Sequence, residues 1–285
     1  AFQMAGQNHL AIKHYKTSSR LCPHDAAVQY NYASALESQG QRLRAAWLYH
    51  RLTRLGQAAE TARYRRNILL GITPKTAPAA YVQRLFDGYA PAYEQSLQEG
   101  LQYQGAARLG QLIARLAPEG GFSKALDLGC GTGLLGEHLA RLTRCLTGVD
   151  LSEAMLTQAH AKGCYGALYQ ESLLAFLAGS KTTYDLAAAA DCLPYLGNLE
   201  RLFVLLGLRL APGGLVALTV EHAPFPRGLL RGYAVTFPGR FQHRATYLHR
   251  LARRAGLHLM HCETAPLRLE HGRPLMGLYA LYRKA

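Results

Sequence analysis

Residues 126–140 read LDLGCGTGLLGEHLA, an acid followed by three alternating glycines at the point where an apolar run gives way to a helical pattern. Ala125, Leu126 and Leu128 suit a buried strand, Gly129, Gly131 and Gly133 suit a tight turn, and the apolar spacing from Leu134 to Leu142 predicts a helix. Glycines at alternate positions remove the side chains that hold a ligand off the main chain, so the ligand can lie on bare backbone. The spacing is G-x-G-x-G rather than the G-x-G-x-x-G of dinucleotide folds, and Asp127 stands two residues before the first glycine. A carboxylate there repels a pyrophosphate and suits a cationic ligand. Seventeen residues after Gly133, LTGVD closes a second apolar run at Asp150, where a carboxylate can accept hydrogen bonds from both hydroxyls of a ribose. An adenosyl group carrying positive charge fits both acids.

These residues resemble the S-adenosylmethionine (SAM) dependent methyltransferases of the Rossmann-like class, in which D-x-G-x-G-x-G and a later strand-end acid hold the cofactor. The resemblance covers roughly residues 81–285. It continues in order through GVDLSEAML (148–156), YDLAAAADCLPYLGNLE (184–200) and LRLAPGGLVALTVE (208–221). It implies an α/β fold with a doubly wound seven-stranded sheet, an enzyme, and SAM or a modified form of it such as carboxy-SAM as methyl donor. Under it, Gly129, Cys130, Gly131 and Gly133 form the cofactor turn, Asp127 faces the cationic amino group directly or through water, and Asp150 holds the ribose diol. Leu151 and Met155 flank the adenine. After the third strand the register leaves either Glu171 or Ser172 at the adenine edge. Asp191 opens DCLPYL, the segment that faces the methyl group and acceptor in related enzymes, or else caps its own turn.

The alternation of short apolar runs with helical patterns predicts strands near 124–128, 145–149, 165–170, 184–190, 214–221, 257–264 and 275–282, the last two an antiparallel hairpin. Asn198 is expected to cap a helix, and Pro212, Gly213 and Gly214 to form a turn into the fifth strand. Ahead of this core, Phe86, Tyr89 and Tyr93 form a stripe across Pro91. In methyltransferases with a similar leader an aromatic from this segment closes over the cofactor; Tyr89 is the first candidate here and Tyr93 the second.

The N-terminal part repeats with a 34-residue period: Gly6 and Gly40, Ala11 and Ala45, Tyr15 and Tyr49, Leu21 and Leu55. It resembles a tetratricopeptide array of about two repeats followed by a degenerate helix over Ala58–Leu70. Such an array offers either a groove for a peptide or protein partner, or a structural cap or self-association surface. The expected division is a helical repeat domain over 1–71 and a methyltransferase domain over 72–285, with a linker and cofactor-covering helices over 72–120. The chain begins at Ala1 inside a repeat, so a preceding piece is expected.

Residues 222–245 are longer than a simple connection requires and read as a substrate cap. Arg227, Arg231 and Arg240 in it, with Arg268 and Arg273 near the final hairpin, are candidate receptors for an anionic substrate group, although solvated surface positions are the default for each. Methyl transfer needs no dedicated catalytic group, but a hydroxyl acceptor benefits from a base, and His243 and His222 are the candidates by location, together with Asp191.

Net charge is +14, yet the basic residues are scattered rather than run together with aromatics, which disfavours nucleic acid. The N-P-P-Y-type tetrapeptide used for planar amino groups is replaced by DCLPYL. Six cysteines without C-x-x-C pairing or metal spacing fit a reducing cytoplasm, and no apolar run reaches the length of about eighteen residues needed to span a bilayer. The leading expectation is methyl transfer to a small-molecule or peptide- or carrier-linked acceptor. The alternatives are a noncatalytic SAM-binding scaffold and an RNA methyltransferase.

Overall fold

The computed structural model describes residues 8–54, 56, 59–224, 230–270 and 272–285. Gly6, Leu55, Ala58 and Arg227, named above, lie outside the described residues. Two compact units are distinguished: residues 1–78 with 235–240, and residues 79–234 with 241–285.

Among the described residues the first unit contains four helices, α1 (Asn8–Leu21), α2 (Ala26–Ser38), α3 (Arg42–Leu52) and α4 (Ala59–Leu69), each packed on the next. Small residues set the spacing: Ala33, Ala45 and Ala62 are fully buried, with Tyr49, Leu36 and Leu52 filling the gaps between backbones. Asp25 caps α2 by accepting from the amides of Ala27 and Val28, and Gly40, at φ +73°, turns the chain into α3. Glu37 is buried yet satisfied, accepting from the Tyr49 hydroxyl at 3.1 Å and pairing with Arg65. Residues 235–240 belong to this unit. The Tyr64 hydroxyl donates to the Gly239 carbonyl at 2.6 Å, and Arg42 lies 5.6 Å above the Phe237 ring.

The second unit is a mixed α/β Rossmann-like fold built on β1 (Phe122–Leu128), β2 (Thr143–Asp150), β3 (Ala167–Gln170), β4 (Tyr184–Ala189), β5 (Leu210–His222), β8 (Leu257–Glu270) and β9 (Arg273–Lys284), together with β6 (Tyr233–Thr236) and β7 (Arg240–His243), of which residues 235, 236 and 240 are assigned to the first unit. The five strands β3-β2-β1-β4-β5 are parallel neighbours, and β8 and β9 form an antiparallel hairpin whose second strand runs antiparallel to β5. The apolar strands are buried because helices cover both faces of a parallel sheet. Ala125, Leu126, Leu186, Leu215 and Leu281 are essentially inaccessible.

The sheet has nine strands among the described residues, not the expected seven. The two additions lie inside 222–245. They escape a hydropathy reading because TFPGRFQH offers only four-residue strands around a Pro-Gly turn. Glu221 pairs with Gly277 of β9 and with Gln242 of β7. A strand has two edges, so β7 occupies the edge of β5 that β4 leaves after Ala189. The helix expected over 134–142 is shortened to Gly136–Leu139. Pro212 to Gly214 fall within a long β5 at a register irregularity against β4, with Gly213 at φ +74°. No helix among the described residues is long and apolar enough to cross a membrane.

Candidate active site

Strand order reverses between β1 and β4: β2 and β3 lie to one side, β4 and β5 to the other. Ligands of such sheets bind beyond the carboxyl ends at that switch point. Asp127, Asp150, Asp191 and Glu221 all stand at or just beyond those ends.

The turn after β1 is pinned by the amides of Gly129 and Cys130, both donating to the Val149 carbonyl. Its glycines have φ values of +67°, +53° and +89°, a region that side chains resist, but the space around each differs. A Cβ on Gly129 would stand 2.3 Å from Cys192 Cβ, and one on Gly133 would stand 3.1 Å from the Tyr165 ring. A Cβ on Gly131 would meet nothing within 4 Å. Gly131 is therefore the open face of the turn, while Gly129 and Gly133 serve close packing.

Asp150 is held by both oxygens: Oδ2 accepts from the Gly131 amide and Oδ1 from the Ser152 amide, each at 2.9 Å. Burial raises its pKa, and these two amides act in the opposite sense. One anchoring bond per oxygen leaves acceptor capacity on each. Asp127 is 1% exposed. Its Oδ2 accepts from the Tyr165 hydroxyl at 2.7 Å, while its Oδ1 is buried without a partner. Burial lifts its pKa to about 7. A cavity adjoins this end of the sheet, walled by Asp127, Gly129, Gly131, Tyr93, Tyr103 and Ala190.

The leader folds onto this end through α5 (Ala79–Tyr89) and a 3-10 turn, Ala90–Ala92, containing Pro91. The turn breaks the helical phase between the two tyrosines. Tyr93 is consequently the cavity-lining residue, and Tyr89, the first candidate, is 56% exposed and does not line it. Phe86 meets Tyr195 edge-on at 5.3 Å, Asp87 accepts from the Ser152 hydroxyl at 2.6 Å, and Lys162 pairs with Glu94 at 2.8 Å.

Beyond β4 and β5 the carboxylates are bridged by a guanidinium, although Asp191 Oδ1 is itself buried without a partner. Asp191 adopts φ +54°, its amide donating to Thr219 Oγ1 at 2.8 Å. Such a backbone in a non-glycine residue is a strained geometry that clusters at functional sites. Arg268, from β8, donates to Asp191 at 2.5 Å and to Glu221 at 2.7 Å, and is 8% exposed. Burial opposes its charge, but the two carboxylates outweigh burial and raise its pKa. Arg268 is thus committed to two internal carboxylates, a correction to its expected role as an anion receptor. Arg231 and Arg273 are exposed, and Arg240 lies in the first unit.

The histidines separate. His243 is completely buried, its Nε2 3.0 Å from the Gly197 carbonyl and its ring stacked with Tyr247 at 6.2 Å. Burial lowers its pKa to about 4. This is a packing position that fixes the chain after DCLPYL, not one open to an acceptor, which corrects its reading as a candidate base. His222 is half-buried at the end of β5, and its pKa is lowered by burial and by Arg244. Of the adenine-side candidates, Met155 is buried, Leu151 is partly exposed, Ser172 caps the helix Leu173–Gly179, and Glu171 is exposed. Asn198 accepts from the Glu200 amide at 2.8 Å, but it stands one residue ahead of the helix N-cap, Leu199, which makes no side-chain cap bond.

Residues 125–214 match the family described as "Methyltransferase domain". The chain carries a SAM-dependent methyltransferase domain. It is 35% identical over 117 residues to trans-aconitate 2-methyltransferase of Deinococcus radiodurans, covering 39% of this chain and 44% of that protein. It is 30% identical over 154 residues to the ubiquinone biosynthesis O-methyltransferase of Xanthomonas axonopodis pv. citri, covering 51% and 60%. The chain thus spans about half the length of these curated relatives. The solved magnesium protoporphyrin IX methyltransferase of Synechocystis PCC 6803, with bound S-adenosylhomocysteine, superposes with a TM-score of 0.56 at 16% identity over 73% of this chain and 99% of that one. That likeness is one of fold.

The site of the methyltransferase domain fits SAM on its own geometry. The partnerless Asp127 Oδ1 at the cavity wall suits an ammonium group, the half-committed Asp150 oxygens suit a diol, and the vacant side of Gly131 admits a ligand against backbone. Glu221 is expected from sequence as a strand-end acid on the ligand side, but its bridging to Asp191 by Arg268, the cavity-lining Tyr103, and Tyr165 were missed as site features. Only Arg268 carried a signal, and that pointed to another role.

Proposed function

We propose that the whole chain transfers a methyl group from SAM to a small-molecule or peptide- or carrier-linked acceptor. The observation that carries this reading is the pair of strand-end acids: Asp150 anchored by two amides with lone pairs to spare, and Asp127 with one buried oxygen lacking a partner. When bound, SAM supplies an electrophilic methyl group on a sulfonium sulfur. In this reading Asp150 accepts from the ribose hydroxyls, Asp127 faces the ammonium group, and Tyr93 and Tyr103 exclude water from one wall. Positioning and desolvation then supply most of the acceleration.

Asp191, Glu221 and Arg268 together carry one net negative charge, which favours a cationic centre nearby over an anionic one. His222 holds its proton weakly and is neutral at pH 7, so it is the candidate base for a hydroxyl acceptor; a carboxylate acceptor needs none. The curated relatives' names are as unlike as a trans-aconitate methyltransferase and a ubiquinone biosynthesis O-methyltransferase, so the acceptor follows the walls of this chain's own cavity. The helices α1–α4, with their period of 34 residues and alanine-lined contacts, are read as a tetratricopeptide-type array that recruits the acceptor or its carrier. The six free cysteines accord with a cytoplasmic setting.

Incubation of the protein with SAM and panels of hydroxy-acid, phenolic and carrier-linked acceptors is the test. The reading expects S-adenosylhomocysteine release and a product heavier by one methylene. Tight SAM binding with no turnover on any panel would favour the noncatalytic scaffold.

A further inference from the structure

Tyr165 has no place in the cofactor turn, yet the turn is built around it. Its ring occupies a slot left by three glycines on three different segments. An added Cβ would stand 2.2 Å from its hydroxyl at Gly136, 2.8 Å from its ring at Gly148 and 3.1 Å from its ring at Gly133. Gly133 closes the turn, Gly136 begins the short helix, and Gly148 lies in β2. Gly136 and Gly148 have no left-handed backbone to explain them; at Gly136 the tyrosine takes the space a side chain would need, and at Gly148 the tyrosine takes it together with Leu168, whose Cδ2 would stand 2.6 Å from the added Cβ. At the end of that slot the hydroxyl donates to Asp127 Oδ2 at 2.7 Å.

We propose that Tyr165 is the positioning residue of the cofactor-side carboxylate: it occupies Asp127 Oδ2 and leaves Oδ1 turned to the cavity as the acceptor for a cationic amino group. The proposal rests on the SAM reading of the site. A buried phenol donates its one proton, and a carboxylate that receives it is both fixed in rotation and favoured in its ionised form. The groups that face Asp127 are few. They are Tyr165 and Cys164 ahead of β3, Asp150 at the end of β2, Cys130 in its own turn and Cys192 beyond β4. Burial raises the Asp127 pKa and Asp150 adds to the rise; the Tyr165 hydroxyl opposes both. The cysteine pKa values are themselves raised, which keeps the thiols neutral. Among the described residues, Tyr165 is thus the side chain that lowers the Asp127 pKa against burial and Asp150.

Tyr165→Phe keeps the ring in its slot and removes only the donor. SAM titrations of wild type and variant between pH 5.5 and 9 should show affinity reduced about tenfold at pH 7. The acid limb should move upward by about one pH unit, and the difference should narrow at pH 9. In an Asp127→Asn background the same substitution should change affinity less than twofold, since its effect acts through that carboxylate. Carboxyl NMR of Asp127 in the cofactor-free proteins should show titration at higher pH in Tyr165→Phe. An unmoved acid limb, an unmoved carboxyl titration, or full additivity with Asp127→Asn would overturn the proposal. If wild type binds no SAM at any pH, the reading of the site fails, and the carboxyl titration alone still decides whether Tyr165 controls Asp127.

Discussion

The two sides of the switch point use the same raw material differently. On the β1 and β2 side, Asp127 and Asp150 are held by a hydroxyl and by amides, neutral donors that leave the negative charge unspent. On the β4 and β5 side, Asp191 and Glu221 are also strand-end carboxylates, but a buried guanidinium bridges them. An open pair can serve a cationic ligand. A closed pair sets the shape of a wall. The contrast separates a half whose carboxylates are held by donors near the turn after β1 and at the end of β2 from a half bridged by a residue 77 positions away in the chain.

The largest expected effect lies on the closed side. Arg268→Met leaves two buried carboxylates without a countercharge and should lower unfolding stability by about 3–5 kcal/mol in urea titrations. A loss below about 1 kcal/mol would mean that the pair is not closed in solution.

The next concerns pH on the same side. The folded pKa of His243 is depressed to about 4, below the ordinary value near 6.5. The unfolded chain therefore takes up the proton first, and stability is complete above pH 6.5 and falls as pH drops toward 4. Between pH 6.5 and 5 the loss from this group should be about 2 kcal/mol. His243→Gln keeps a donor for the Gly197 carbonyl and removes the titration, so its stability profile should be flatter over that range. An equal slope in both proteins would show that other groups set it.

The smallest effect sharpens the cofactor side. Tyr93→Ala should weaken SAM binding about tenfold, while Tyr89→Ala should stay within about twofold. The reverse order would return the covering role to the exposed tyrosine.

The pattern of legibility follows the same division. Alternation and turn chemistry place the parallel strands and the final hairpin, because buried strands declare themselves as apolar runs between glycines and acids. Asp127, the three glycines and Asp150 are readable for a related reason: the strand-end geometry of a parallel sheet ties the first four to one short turn and Asp150 to the end of the next strand. The acceptor side is carried by tertiary pairings that leave no local mark. Arg268 looks like a surface cation until β8 folds back through β9, and β7 looks like loop until it finds the free edge of β5. Tyr89 and Tyr93 share a helical spacing on paper, but the turn containing Pro91 changes which one faces inward. Tyr165 could not be found in sequence at all, since the glycines that admit it are scattered over sixteen positions and two of them resemble ordinary packing glycines.

The most direct test of the account is calorimetric titration of SAM into wild type and Asp150→Ala. Loss of two charge-assisted backbone contacts and the diol acceptor should weaken binding by about 100-fold or more with the fold retained. No binding by wild type, or equal affinity in the two proteins, would contradict it.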